Sequence, residues 1–435
     1  MARCHRSLSQ PHDPDLSRML IVYIITGLAF MIFPGTLVGV LTLLKISSAH
    51  ASNAADPGWV QAHGHAQIFG WIGTFILGVG YYTIPRLRLS RFSPVAAWTT
   101  YALWTAGVAM RWAAGSWPWQ WRLLFPLAGI LELTAAVVFV VSVYAPKPRA
   151  ESNDTWRTSV VMITAAGIAM LVAIALNAFE SIVVAMRGTA PVFPNAFNQR
   201  YLVLVTWGLI VPFIWGFASR WLPPLLGLEK SRKKLMLPSL VVLWCGVAAA
   251  LAGWFGAAAL LAGVASIFYI VALRLFERPA KEPKLRGVHE WTPVMIRIAF
   301  GWSLVAAAIA FVATVVPPPN GLVGAGRHAL TVGFFAAIVF AIGARVLPAF
   351  FNVIRLWSKG VMAASLVLLN VGCTLRVGSQ IIAYGGLGDA AWPILKLSAI
   401  LEMTAIGLFA VNMLMTLTTG SPLEAALAEM QAREA

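Results

Sequence analysis

Residues 63–87 read HGHAQIFGWIGTFILGVGYYTIPRL. From Ala66 to Pro85 no residue is charged, and about 20 such residues in a helix cross the roughly 30 Å core of a bilayer. The stretch therefore predicts a membrane-spanning helix with a pair of histidines at one end and Arg86 at the other. Two further stretches have the same build: residues 199–228, QRYLVLVTWGLIVPFIWGFASRWLPPLLGL, and residues 326–351, GRHALTVGFFAAIVFAIGARVLPAFF. Aligning Pro85, Pro223 and Pro348 puts Gly70, Gly208 and Gly333 in register fifteen residues earlier, and His65, Val203 and His328 twenty residues earlier.

The match extends outward. VAMRWAAG around Arg111 resembles CTLRVGSQ around Arg376, and GILELTAA around Glu132 resembles AILEMTAI around Glu402. A repeat of this kind marks equivalent positions. It predicts three pseudo-repeated four-helix units over about 19–144, 157–276 and 293–418, within a single integral membrane domain that takes in the whole of 1–435.

Composition agrees with an all-α polytopic fold. Of 435 residues 59% are hydrophobic and 11% charged, and the mean hydropathy is +0.79, outside the range of soluble globular chains. Twelve spans are expected near 19–44, 60–85, 94–115, 120–144, 157–186, 199–225, 236–253, 255–276, 293–316, 326–350, 359–384 and 392–418. The first apolar run is too long for a cleaved leader and is expected to stay as a helix. Cys4, Cys245 and Cys373 are scattered, which supports neither a disulfide framework nor a thiolate metal site.

Net charge is +16, but its placement matters more than its sum. With the N-terminus inside, 24 of the 32 Lys and Arg fall on one side and five on the other. By the positive-inside rule both termini are expected to be cytoplasmic, and the location expected is a bacterial inner membrane. The basic loops are thereby explained, and a nucleic-acid partner is not expected; membrane lipid is.

Ionisable groups inside a bilayer are costly and mark functional positions. His65, His328, Arg111, Arg376 and Glu180 fall in the outer half of the membrane, with Glu132 and Glu402 near its middle. Two histidines on equivalent helices suit axial ligation of a haem or capture of a metal ion. Arg111 and Arg376 could neutralise haem propionates, and Glu132 and Glu402 read best as their buried partners. Glu180, within ALNAFESI, has no counterpart in the repeat. His63 stands two residues from His65, about 200° away around a helix, so one centre cannot use both. The shared twenty-residue offset favours His65 opposite His328. If the equivalent positions point sideways around the ring, His63 is the better partner.

At the HxH of the second helix and the RHAxTVG of the tenth, the sequence resembles the NnrS family, membrane proteins related to the catalytic subunit of haem–copper oxidases and linked to nitric oxide stress and denitrification. The matching residues are His63, His65 and Gly70, then Arg327, His328, Ala329, Thr331, Val332 and Gly333. Where the family usually has HAHEM, this chain has HGHAQ, with Gly64, Ala66 and Gln67. The resemblance implies twelve helices in a haem–copper-oxidase-subunit-I-like fold, haem b, copper as a further candidate, and a small gaseous or redox ligand such as nitric oxide.

Within the wider oxidase superfamily the low-spin haem ligands lie on the second and tenth helices, and the copper and high-spin haem histidines on the sixth, seventh and tenth. Here the sixth and seventh helices carry none. The resemblance thus points to haem binding and electron transfer. Its rivals are an oxidase-like or nitric oxide reductase-like catalytic subunit, and a cation or metal transporter built on Glu132 and Glu402.

Overall fold

The computed structural model describes residues 14–88, 90, 92–117, 120–146, 154–317, 321–351, 353 and 355–419; Cys4 lies outside them. Among the described residues the chain forms twelve long helices and no strand. They are α1 (Asp15–Ala49), α2 (Pro57–Arg86), α3 (Pro94–Ser116), α4 (Trp121–Tyr144), α5 (Thr158–Arg187) and α6 (Asn195–Leu226), followed by α7 (Lys233–Leu251), α8 (Phe255–Leu273), α9 (Thr292–Val312), α10 (Leu322–Phe350), α11 (Lys359–Tyr384) and α12 (Ala391–Thr418). All except α3 are also apolar enough by composition to cross a membrane. In a bilayer the backbone must satisfy its own hydrogen bonds, which is why a chain of this hydropathy resolves into helices and short connections.

Three antiparallel hairpins, α3–α4, α7–α8 and α11–α12, form the rim, and α12 returns against the second half of α1. The helices α2, α6 and α10 stand inside and are the most enclosed: 89%, 78% and 61% of their apolar windows are buried, against 33–50% for the other spans so assessed. A helix apolar all round belongs inside.

Each inner helix is interrupted by a π-helical segment: Ala66–Gly73 in α2, Leu204–Ile210 in α6 and Ala329–Ala336 in α10. All three begin nineteen residues before Pro85, Pro223 and Pro348, immediately after His65, Val203 and His328. A fourth, Met31–Leu37, lies in α1 and contains Pro34, whose missing N–H cannot continue an α-helical ladder. Such bulges insert a residue and re-aim the side chains beside them.

Below the histidine level the three inner helices surround a small apolar shaft of about 120 Å³, lined by residues such as Phe75, Ile210, Phe213 and Ile338. At its far end Phe350 packs between Tyr82 and Trp221, with ring centroids 4.4 and 5.9 Å apart. The Tyr82 hydroxyl donates to the Phe350 carbonyl at 3.3 Å.

Candidate functional site

The start of α2 is fixed by Asp56, whose carboxylate accepts from Gly58 N at 2.7 Å and Trp59 N at 3.2 Å, with Pro57 in the first turn. Two turns on, His63 and His65 leave the helix on different sides and meet different partners.

His63 points at α1. Its Nδ1 donates to the Gly35 carbonyl, inside the π segment of α1, at 2.7 Å. A neutral imidazole has one donor and one acceptor, and a carbonyl only accepts, so the proton sits on Nδ1 and Nε2 presents a lone pair. The ring lies so close to α1 that a Cβ on Gly39 would come within 2.5 Å of its Cε1. Gly39 therefore supplies the backbone approach that the ring needs.

His328 on α10 repeats the arrangement. Its Nδ1 donates to the Gly324 carbonyl at 3.0 Å, which again leaves Nε2 as an acceptor. Its own carbonyl faces the Cys373 thiol at 3.8 Å. His63, His328 and Arg376 of α11 interact electrostatically with one another, and all three line a cavity of about 1030 Å³. Arg376 is 7% exposed, and its Nη1 is buried with no hydrogen-bond partner. Glu402 of α12 lies within its electrostatic reach, but Glu402 Oε1 is also without a hydrogen-bond partner.

His65 turns to the other side of α2. Its Nε2 donates to Glu132 Oε1 at 2.8 Å, and Asn177 of α5 donates to Glu132 Oε2 at 3.0 Å. Glu132 is fully buried, and both its oxygens are taken. Arg111, 1% exposed, and Tyr201 of α6 interact electrostatically with this carboxylate. The Arg111 guanidinium lies 3.9 Å over the Phe125 ring, and its Nε and Nη1 have no hydrogen-bond partner.

The expected ion pairs Arg111–Glu132 and Arg376–Glu402 are thus electrostatic neighbours without direct contact: among the described residues no ion pair within 4 Å joins either couple. Arg327 lines the cavity and donates to Gln199 of α6. Glu180 is half-buried on α5, one turn past the buried Asn177 and clear of the cavity wall.

The structure therefore sorts the candidate residues into two groups. His63, His328 and Arg376 meet across the cavity, with Glu402 beside them. His65, Arg111 and Glu132 form a second cluster on another side of α2, from which His65 and Arg111 also reach the wall of the same cavity. Sequence reasoning missed Asn177 and Tyr201, which complete that cluster, and Gln199, which holds Arg327. Asn177 could have been found in ALNAFESI as the polar residue one turn from Glu180, whereas Tyr201 and Gln199 lie at the interface end of α6, where polar residues are ordinary.

Comparison of the sequence with protein-family models and with curated proteins finds no match. The fold does match: this chain is similar to that in the cryo-EM structure of a haem–copper terminal oxidase dimer, with a TM-score of 0.72 at 11% identity, over 93% of this chain and 84% of that one. The likeness is one of fold: the helices of this chain are arranged as in that terminal-oxidase chain.

Proposed function

We propose that the chain is a haem-binding membrane protein of the NnrS type that holds a b-type haem between α2 and α10, with His63 and His328 as the axial ligands. One observation carries this reading. On both histidines Nδ1 is tied to a backbone carbonyl and Nε2 is left as a free lone pair beside the same cavity, the outer-shell arrangement that orients a ligating imidazole. His65 lacks it, because its Nε2 is engaged by Glu132.

The cavity also suits the rest of the group. Arg376 offers a buried, unpartnered N–H to a propionate carboxylate, and the volume is at the upper end of small-molecule pockets. When bound, a haem with two imidazole ligands supplies one-electron transfer. The chain's own residues hold the two imidazoles in one tautomer, offset the propionate charge and keep the site apolar. Copper is a further candidate at the same histidines, and among the described residues no group of three or more His, Cys, Asp or Glu adds to them.

The role in nitric oxide or nitrosative stress rests on the HxH and RHAxTVG motifs, with nitric oxide or a related small redox ligand as the partner. The division into three four-helix units is part of the same reading, supported by the π segments at one register in α2, α6 and α10. So is an inner-membrane location with both termini cytoplasmic, supported by the lopsided basic residues. The test is the visible spectrum of the purified protein. A sharp low-spin haem spectrum, lost in His328→Ala, is expected; a folded but colourless wild type from haem-replete cells would overturn the proposal.

A further inference from the structure

The carbonyls that orient the two histidines both belong to glycines, Gly35 for His63 and Gly324 for His328. Each glycine is covered by a glutamine. A Cβ built on Gly35 would come 2.8 Å from Gln67 Nε2, and one built on Gly324 would run into Gln380 Nε2. The missing side chain lets a carboxamide lie against the backbone beside the carbonyl.

Each glutamine also donates to a carbonyl about one turn before its glycine. Gln67 Nε2 donates to Thr36 Oγ1 at 2.8 Å and to the Met31 carbonyl at 3.4 Å, and the Thr36 hydroxyl donates to that same carbonyl at 2.8 Å. These bonds brace the π segment Met31–Leu37, where the regular helical ladder is broken. Gln380 Nε2 donates to the Gly321 carbonyl at 3.3 Å, at the N-cap of α10 and three residues before Gly324. A backbone carbonyl has two lone pairs. Gly35 thus accepts from the Val38 N–H within α1 and from His63 as well.

The repeat does not account for this match. On the alignment that equates His65 with His328 and Arg111 with Arg376, the counterparts of Gln67 and Gln380 are Leu330 and Gly115. Gln67 stands on the same helix as His63, whereas Gln380 reaches α10 from its neighbour α11. The arrangement therefore follows the two histidines and not the fold. Gln380 is buried, and its Oε1 has no hydrogen-bond partner, a cost that an apolar residue would avoid. Gln67 is the last residue of HGHAQ, where this chain departs from the HAHEM of the family it resembles.

We propose that Gln67 and Gln380 are positioning residues, one for each haem ligand: each holds the turn whose glycine carbonyl keeps its histidine in the Nδ1–H tautomer with Nε2 toward the cavity. The inference rests on the haem reading for its consequence, though not for its geometry. An imidazole whose Nδ1–H is held by a carbonyl is the more basic ligand, and a more basic ligand favours ferric over ferrous iron.

The test is the haem midpoint potential of the full-length protein in mild detergent, from a redox titration followed in the visible spectrum. Gln67→Leu and Gln380→Leu should each shift the ferric-to-ferrous preference by about threefold, which at about 59 mV per tenfold raises the potential by about 28 mV. The double variant should show about twice that shift, since the two glutamines act on different histidines. Gln67→Met and Gln380→Met, of similar length, should give the same shifts and serve if the leucine variants do not fold. Gln61→Leu is the control: this glutamine, also on α2, bonds the Phe193 backbone through Nε2 at 3.0 Å and Oε1 at 2.8 Å, and its loss should leave the potential at the wild-type value. A wild-type potential in the Gln67 or the Gln380 variants, or an equal shift in Gln61→Leu, overturns the proposal. A folded wild type without haem refutes the haem reading alone. The nitrogen-15 shifts of histidine-labelled protein then decide: His63 should be the Nδ1–H tautomer in the wild type and a mixture in Gln67→Leu, and an unchanged tautomer overturns the proposal.

Discussion

His65 donates from Nε2 to Glu132, while His63, two residues earlier, donates from Nδ1 to Gly35 and keeps its Nε2 free. The two imidazoles of one motif thus have opposite chemistry: one is a hydrogen-bond donor within a buried polar cluster, and the other presents a lone pair to a cavity. His63→Ala and His328→Ala should each lose the haem, whereas His65→Ala should retain it. Haem content per chain, read from the pyridine haemochrome, decides; loss in His65→Ala with retention in His63→Ala would reverse the assignment.

Glu132 is expected to matter for stability. Removing it leaves the His65 Nε2–H and the Asn177 amide without an acceptor and Arg111 without its charged neighbour. Breaking a buried charged network typically costs about 3 kcal/mol. Glu132→Ala should therefore lower the thermal midpoint in detergent well below that of Glu180→Ala, whose carboxyl is half-exposed. Equal midpoints would show that the cluster contributes nothing.

The twelve helices were legible because a membrane span is written as some 20 apolar residues with little else to decode. Twelve spans were expected, and each corresponds to one of the described helices, including α3, which composition alone does not flag. The choice between His63 and His65 was not legible. The repeat register equated His65 with His328, but it fixes depth and not direction. Direction is set by a carbonyl on α1 and a carboxylate on α4, long-range partners that no local pattern shows. The π segments, which shift the helical phase just beyond the histidines, were likewise invisible to a period of 3.6.

Gly39 offers a test that leaves every proposed ligand in place. An alanine there would set its Cβ 2.5 Å from the His63 ring carbon Cε1, so the ring must turn away from Gly35. Outer-shell changes of this kind weaken metal-group binding by roughly tenfold or more. Gly39→Ala should show that loss on competition with a haem-scavenging apoprotein, with α-helical content unchanged; unaltered retention would remove α1 from the site.

Arg376 should act through charge. Arg376→Leu removes the buried donor set beside His63 and His328 and should weaken haem retention by about tenfold, while Arg376→Lys should restore part of it. If both variants retain haem as the wild type does, the propionates are held elsewhere.

Oxygen reduction is not expected of this chain alone, because the wall contributed by α6 and α7 offers no imidazole for a second metal beside His328. Oxygen uptake with reduced donor should match that of His328→Ala. A rate clearly above that control would show a second redox centre.

The shaft enclosed by α2, α6 and α10 has an electrical consequence. A cavity with Arg111, Arg327 and Arg376 in its wall brings charge among membrane-spanning helices, where it thins the apolar layer between the two faces. Trp71 and Ile72 belong to the walls of both spaces, so the cavity floor is the shaft's roof. From there inward the lining is aliphatic and aromatic, down to Phe350 between Tyr82 and Trp221. Space of that size with apolar walls stays dry, and an ion crossing it would shed its hydration with nothing in return. The shaft thus acts as the dielectric of a capacitor, an apolar seal behind a charged cavity.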